Sequence, residues 1–454
     1  MSRYTSVTDA DLREMLATIG LGSVAELFAD IPQALRLDRS LALEEGLSEQ
    51  EVYAELRALA ERNVSTDDEI SFLGGGMYDH YVPAIVDSII SRSEFLTPYT
   101  PYQPEISQGG LQAMFEYQTA ISELTGLPVS NASVYEGPSA VAAAGYVAKL
   151  HNGRRRFVVS SGVHPHSIET LSTLARGWGM DVEVIELEDG VTNLDNLAPS
   201  AFGEDLSALV IQQPNFLGAI EDLEALATAA HAAGALVICA ADPIPLALLR
   251  PPGEQGADIV VGEGQTLGNR LDFGGPSFGF FAVTEELIRR VPGRIAGETR
   301  DLDGKRGFVL TLQTREQHIR RERATSNICT AQALNALAGV IYLSWLGSRG
   351  IVELAELLAQ RTAYARDQLA AIPGVSLPHS QPVVREFPIA VDGDVELVIA
   401  HCRANGINPG YRLGPDHPNW LLVAITELRT KVEIDRLAEV LGAAVAAERE
   451  RVPA

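Results

Sequence analysis

Apolar and polar residues recur along this chain with two different periods, and the change of period divides it. Over the first 64 or so residues the spacing is helical. Asp9-Ala-Asp-Leu-Arg-Glu-Met-Leu16 follows Thr8, a residue suited to cap a helix N-terminus. Ser48-Glu-Gln-Glu-Val-Tyr-Ala-Glu-Leu-Arg-Ala-Leu59 repeats the signature, with Glu51 placed to complete a capping box. Over 72–105 aromatics are interleaved with Pro and Gly, as in Phe72-Leu-Gly-Gly-Gly-Met-Tyr78 and Pro98-Tyr-Thr-Pro-Tyr102. That texture predicts an extended arm lying across another surface, with a helix only over 83–92.

Beyond 105, short apolar runs alternate with helical patterns. Helices are expected over 110–125, with Gly126 as a stop, over 138–150, with Pro138 in the first turn, and over 167–176 and 222–233. Strands are expected over 131–135, 156–160, 181–186, 207–212, 235–240 and 258–261. Such alternation predicts an α/β domain built on a mostly parallel sheet with helices on both faces. From about 315 onward come long helical patterns, strands within 375–390, and a final strand–helix pair over 421–426 and 431–447. We therefore expect N-terminal helices and an extended arm (1–105), a large α/β domain (106–314) and a smaller C-terminal α+β domain (315–454).

Composition narrows the function. The chain has 454 residues, 46% of them hydrophobic, enough for a sizeable core. A net charge of −25 argues against a nucleic-acid binder, which would carry a basic face. Cys239, Cys329 and Cys402 lie far apart, as neither a disulfide framework nor a zinc ligand set, which fits a reducing compartment. The apolar run over 236–249 is broken by Asp242, Pro243 and Pro245, and the first residues lack an apolar signal region. These features predict a soluble cytoplasmic protein without membrane contact.

The centre of the chain carries the candidate chemistry. A buried strand ends in Asp242, and a second strand at 258–261 runs into the glycine-rich Gly262-Glu-Gly-Gln265-Thr-Leu-Gly268. This is the plan of an enzyme that holds pyridoxal phosphate. Such a protein supplies a lysine for the Schiff base, a carboxylate for the pyridine nitrogen, a group stacking on the ring and a helix N-terminus for the phosphate. Asp242 fits the second role, although Asp before Pro243 also reads as a turn residue. Tyr135-Glu-Gly-Pro-Ser139 opens a helix and fits an anion cradle, although Ser139 also reads as a plain cap. His164, with His166, follows a strand in a loop where ligands lie; neither has partners at metal spacing, and no metal site is expected.

The lysine is missing. Lys149, Lys305 and Lys431 are the whole complement against 32 arginines, and each reads as exposed. Gln265 stands near the position where the lysine belongs, and an amide cannot form a Schiff base. Arginine bias does not explain the loss, because a guanidinium cannot replace an amine there. The loop around Glu263 and Gln265 reads as filling a vacated pocket. No G-x-S-x-G occurs, and Gly74-Gly75-Gly76 lacks a dinucleotide fingerprint.

Several long motifs resemble the P-protein of the glycine cleavage system, and more closely its N-terminal subunit where that protein is split in two. They are Phe72-Leu-Gly-Gly-Gly-Met-Tyr-Asp-His-Tyr81, the run from Glu94 to Gly110, Gln112-Ala-Met-Phe-Glu-Tyr-Gln118, Asn131-Ala-Ser-Val-Tyr-Glu-Gly137 and the run from Arg315 to Thr330. The likeness covers essentially the whole chain, with small departures at Glu136 and Ala331. It implies the fold of type I pyridoxal phosphate enzymes and a lysine-bearing second subunit that holds the cofactor. It also implies glycine decarboxylation, with the aminomethyl group passed to the lipoyl arm of the H-protein. On that basis no catalytic residue is expected on this chain, and Asp242, Ser139 and His164 are candidates for a relic pocket. Tyr99, Tyr102, Gln103, Gln108, Arg320, Arg321 and Asn327 are candidates for contact with the partner or the lipoyl arm. The rival readings are a self-sufficient pyridoxal phosphate enzyme using Lys305, and an inactive structural paralogue.

Overall fold

The computed structural model describes residues 6–194, 203–272 and 274–451, and the chain divides into two units at Val64/Ser65. In the first unit the helices Asp9–Thr18 and Glu49–Ala60 start where the capping residues stand. Thr8 and Asp11 close one capping box and Ser48 and Glu51 the other, each satisfying two backbone donors that a helix start leaves open.

The second unit is organised by a seven-stranded sheet. Its strands are β1 (Val129–Ser130), β2 (Arg156–Ser160), β3 (Asp181–Ile185), β4 (Leu206–Gln213), β5 (Leu236–Ala241), β6 (Ile259–Glu263) and β7 (Gly279–Val283). Their spatial order is β1-β7-β6-β5-β4-β2-β3. The pairs from β6 through β3 are parallel, and β7 runs antiparallel to both β6 and β1. The pleat sends successive side chains to opposite faces. Phe157, Val159, Val210, Ile238 and Val261 pack under the helices Gly137–Asn152 and Pro165–Trp178. Val158, Leu209, Ile211, Cys239 and Val260 pack on the other face against Tyr117, Leu226 and Tyr342. Both faces are covered, so the central strands read as unbroken apolar runs.

A four-stranded antiparallel sheet, built on Glu386–Val391 and Trp420–Ala424, forms the second layer under the helices Val395–Ala404 and Lys431–Arg451. The long helix Ala333–Ala370 joins the layers. Gly347 (φ 65°, ψ 177°) breaks it; Ala336 and Tyr342 before the break and Ala355 and Leu358 after it pack on the first core, and Ala365 and Leu369 pack on the second. Among the described residues no helix is long and apolar enough to cross a membrane.

The structure differs from the sequence expectation in several places. The strand expected over 131–135 lies at Val129–Ser130; Ser133 adopts φ 133°, and Val134 makes a lone bridge to Gly279. Elements that were not expected include β7, the hairpin Ile295–Arg300/Arg306–Thr311 and the helix Val395–Ala404. β7 is a Gly-Phe-Phe-Ala-Val run buried on both faces, which shows no alternation to read. The aromatic stretch 72–105 splits in character: Phe72, Tyr78, Val82 and Val86 are buried in this unit, whereas Leu96, Tyr99 and Tyr102 are exposed.

The two layers meet closely at Gly218. It has φ 78°, and a Cβ there would stand 1.8 Å from the carbonyl oxygen of Glu386. Two backbones approach too tightly for any side chain. Gly218→Ala is expected to cost at least about 3 kcal/mol, read as a lower denaturant midpoint. A midpoint equal to the parent's would show that the joint yields freely.

Candidate functional site

Asp242 follows β5 at the carboxyl edge of the sheet, where open α/β sheets place their ligands. It lines a cavity of about 400 Å3 together with Gly74–Gly76, Glu136, His164, Thr266, Arg385 and Glu386. Asp242 is not free to meet a pyridine nitrogen. Its Oδ2 lies 2.6 Å from Arg385 Nη2, and Oδ1 accepts from the Ile244 amide at 3.2 Å. Burial pushes the Asp242 carboxyl up and the Arg385 guanidinium opposes it. The same guanidinium lies 3.5 Å above the centre of the Tyr78 ring. Tyr78 Oη donates to Glu386 Oε2 at 2.8 Å, and the Gly75 amide donates to Oε1 at 2.6 Å. Burial pushes the Glu386 carboxyl up to about 7 despite those donors.

Gln265 points away from this cavity. Its Oε1 accepts from the Tyr78 amide at 3.0 Å, and Nε2 donates to the carbonyls of Tyr78 at 3.0 Å and Asn269 at 2.8 Å. The side-chain amide is satisfied on both ends and holds the aromatic arm to the loop after β6.

The helix N-terminus is filled by the chain's own carboxylates. The Gly137 amide donates to Glu263 Oε2 at 3.0 Å, and the Ser139 amide donates to Glu136 Oε1 at 3.0 Å. Ser139 Oγ donates to Glu136 Oε2 at 2.8 Å, and Ser277 Oγ donates to Glu263. Acids complement a helix N-terminus, and here they use the donors a phosphate would need. His164 spends both ring nitrogens: Nδ1 accepts from the His166 amide at 3.1 Å, which leaves Nε2–H to donate to the Gly75 carbonyl at 2.8 Å. Burial holds this imidazole below its ordinary pKa.

The sequence therefore brought Asp242 and His164 to one cavity and Ser139 elsewhere, facing a groove of about 630 Å3 shared with Arg321 and Asn327. Glu263 was read only as part of a pocket-filling loop, and Tyr78, Arg385 and Glu386 were missed. The only signal for the last two was a charged pair inside Val383-Val-Arg-Glu-Phe-Pro-Ile-Ala-Val391, an otherwise apolar run. Pyridoxal phosphate does not fit these residues. No lysine lines the cavity, the carboxylate is paired, and the phosphate position is negative. Lys305 lies in the turn of the hairpin Ile295–Arg300/Arg306–Thr311, and Lys431 pairs with Asp435 at 2.7 Å.

A second, outward-facing cleft of about 480 Å3 is lined by Leu96, Tyr99, Ile106, Ala331 and Leu337. Beside it, Arg294 Nη2 donates to Tyr102 Oη at 2.9 Å, and Tyr102 Oη donates to Glu316 Oε2 at 3.2 Å. Gln103 precedes the short turn Pro104–Ile106, and Gln108 staples it to the hairpin through Pro104 O, Phe308 O and Phe308 N. Leu312, Arg321 and Ala331 all have φ between 52° and 55°. Strain of that kind persists where the surroundings fix the backbone, and it gathers at functional sites. Arg320, Arg321 and Asn327 are exposed on that segment. Among the described residues no three His, Cys, Asp or Glu side chains are grouped to hold a metal ion.

Two outcomes follow. In Gln265→Lys, borohydride reduction after incubation with pyridoxal phosphate should leave no cofactor mass on the peptide that carries residue 265; a stoichiometric adduct on that peptide would show that the lysine alone was missing. Glu386 sets a pH dependence of stability. A carboxyl raised above its ordinary 4.5 keeps its proton in the folded state, so its contribution falls as pH rises from 4.5 to about 7. Glu386→Gln removes that slope. Relative to the parent, the variant should gain up to about 3 kcal/mol between pH 5 and 8 in urea unfolding. Parallel curves would place the Glu386 pKa in the ordinary range.

Comparison with known proteins covers nearly the whole chain. The family model for the glycine cleavage system P-protein matches residues 2–441. A probable glycine dehydrogenase (decarboxylating) subunit 1 from Geobacillus thermodenitrificans is 49% identical over 445 residues, covering 97% of this chain and 99% of that protein. Its counterpart in Bacillus subtilis is 48% identical over 443 residues, covering 97% and 98%. A crystal structure of glycine decarboxylase (P-protein) of the glycine cleavage system, in inhibitor-bound form, matches with a TM-score of 0.89 at 43% identity, covering 98% of this chain and all of that one. Glutamate decarboxylase from Lactobacillus brevis, 13% identical with a TM-score of 0.70 and covering 95% and 98% of the two chains, shares the fold. That fold is type I of the pyridoxal-phosphate-dependent enzymes, and the family and these fold neighbours depend on that cofactor. The chain belongs to the glycine cleavage system P-protein family.

Proposed function

We propose that this chain is the lysine-lacking subunit of a heteromeric glycine dehydrogenase (decarboxylating), acting in the cytoplasm. The observation that carries this is Gln265, an amide hydrogen-bonded at both ends where the family's chemistry needs a free amine. A homologous second subunit supplies the lysine and holds pyridoxal phosphate. The complex takes CO2 from glycine and passes the aminomethyl group to the lipoyl arm of the H-protein, which is reduced as it receives the carbon. This chain contributes a wall and a docking face. The cleft at Leu96, Tyr99 and Ile106 is the apolar part of that face, and exposed apolar surface of this kind marks a partner site.

Arg320, Arg321 and Arg323 form a local basic patch on an otherwise acidic protein, and over a Debye length of about 8 Å such a patch acts in spite of the net charge. It receives the H-protein or the partner.

The test is to co-express this chain with the lysine-bearing subunit and follow glycine-dependent exchange of labelled bicarbonate with H-protein or free lipoate. Activity is expected only in the mixture. Activity of this chain alone would overturn the reading in favour of a self-sufficient enzyme. Inactivity of every mixture would favour an inactive paralogue. In the active mixture, Arg320→Ala/Arg321→Ala should lower exchange or complex formation roughly tenfold, about 1.4 kcal/mol. Unchanged kinetics together with unchanged assembly would remove the patch from the docking face.

A further inference from the structure

The cavity at Asp242 rejects pyridoxal phosphate, yet its shape and its polar groups suit a smaller molecule. Its described lining residues all belong to the second unit. A volume of about 400 Å3 has room for on the order of ten non-hydrogen atoms. Met77, Val141, Phe216, Ala240 and Tyr411 give it an apolar wall. Ligand sites combine such a wall with a few polar groups that fix orientation.

The polar groups are unevenly matched. Arg385 is the one Lys or Arg among the described lining residues, and two carboxyls, Asp242 and Glu386, stand around it. Arg385 meets Asp242 through Nη2 at 2.6 Å, whereas its Nε has no hydrogen-bond partner among the described residues, in a side chain only 5% exposed. Thr266, 2% exposed, also lines the cavity, and its hydroxyl likewise has no partner. Buried polar groups are nearly always hydrogen-bonded, so two orphans at one cavity point to a ligand. Asp242 keeps 17% of its side chain open, and burial pushes the Glu386 carboxyl up to about 7. A guanidinium short of an acceptor thus lies beside a carboxyl pair short of a cation.

One small molecule answers both needs. A simple anion would add negative charge beside two carboxyls, and a simple amine would leave the guanidinium short of its acceptor. A zwitterion supplies an acceptor and a cation together and brings no net charge into a buried site. We propose that this cavity binds a free α-amino acid with an apolar side chain, its carboxylate on Arg385, its ammonium shared by Asp242, Glu386 and the Thr266 hydroxyl, and its side chain against Met77, Val141 and Phe216. Binding is non-covalent, because no lysine lines the cavity. Arg385 and Glu386 belong to the smaller sheet's layer and Asp242 to the larger one's, so the bound amino acid also braces the joint between them. The inference concerns this chain alone and does not rest on the heteromeric reading above.

Isothermal titration of the full chain with L-leucine at neutral pH tests it, against isopentylamine and isocaproate, which keep the apolar end and one charge each. Leucine should bind saturably at one site per chain, and both analogues at least tenfold more weakly. Thr266→Val removes a hydroxyl that no protein group uses, so the melting temperature should hold or rise while leucine affinity falls at least threefold. Isopentylamine binding as well as leucine would make this an amine site, and isocaproate binding as well would make it an anion site. Either result overturns the proposal. So does the absence of saturable leucine binding, or an affinity that Thr266→Val leaves unchanged. None of these outcomes bears on the heteromer, which the co-expression assay decides.

Discussion

The buried pair between Asp242 and Arg385 is the constraint on which the centre of the molecule depends. Asp242 belongs to the carboxyl edge of the large sheet, and Arg385 precedes the first long strand of the smaller one. Taking both charges out of water costs several kcal/mol each, which a 2.6 Å contact and further partners must return. Those partners are present: the Ile244 amide on Asp242, and the Tyr78 ring beneath the guanidinium. Tyr78 in turn is fixed by Glu386 through its hydroxyl and by Gln265 through its backbone. One ion pair thus ties together both layers, the aromatic segment and the loop after β6.

The same pair decides what the pocket can do. A carboxylate at the end of β5 is free to hold a pyridinium only if nothing cationic occupies it, and Arg385 does. Glu136 and Glu263 act alike at the helix N-terminus, where they satisfy the amides that would otherwise cradle a phosphate. The likeness to pyridoxal phosphate enzymes therefore resides in backbone placement, and the difference resides in a few side chains. Fold and chemistry separate here along that line.

Legibility in the sequence followed the same division. Elements whose cause is local were readable: Thr8, Ser48 and Asp222 start helices, and Gly126 ends one with φ 70°. The parallel strands were readable because burial on both faces leaves unbroken apolar runs. The hairpin Ile295–Arg300/Arg306–Thr311 was not, because it rests on helix Gln108–Thr125 through Leu111, Phe308 and Leu310, contacts made across nearly 200 residues of chain. That an amide stands in the loop after β6 was legible at Gln265, whereas the distant charge that has moved into the pocket was not. Nothing near Asp242 in sequence announces Arg385.

Polar groups in such a centre are coupled, and that bears on how the pocket can change. Removing Arg385 would leave Asp242 buried and unpaired, and would also strip the cation from above Tyr78. Removing Glu263 would free the amides of Gly137 and Gln265 and the hydroxyl of Ser277 at once. Each alteration toward a cofactor site therefore loses structure before it gains binding, and the losses share partners, so they do not add independently. A pocket arranged this way is a joint between layers.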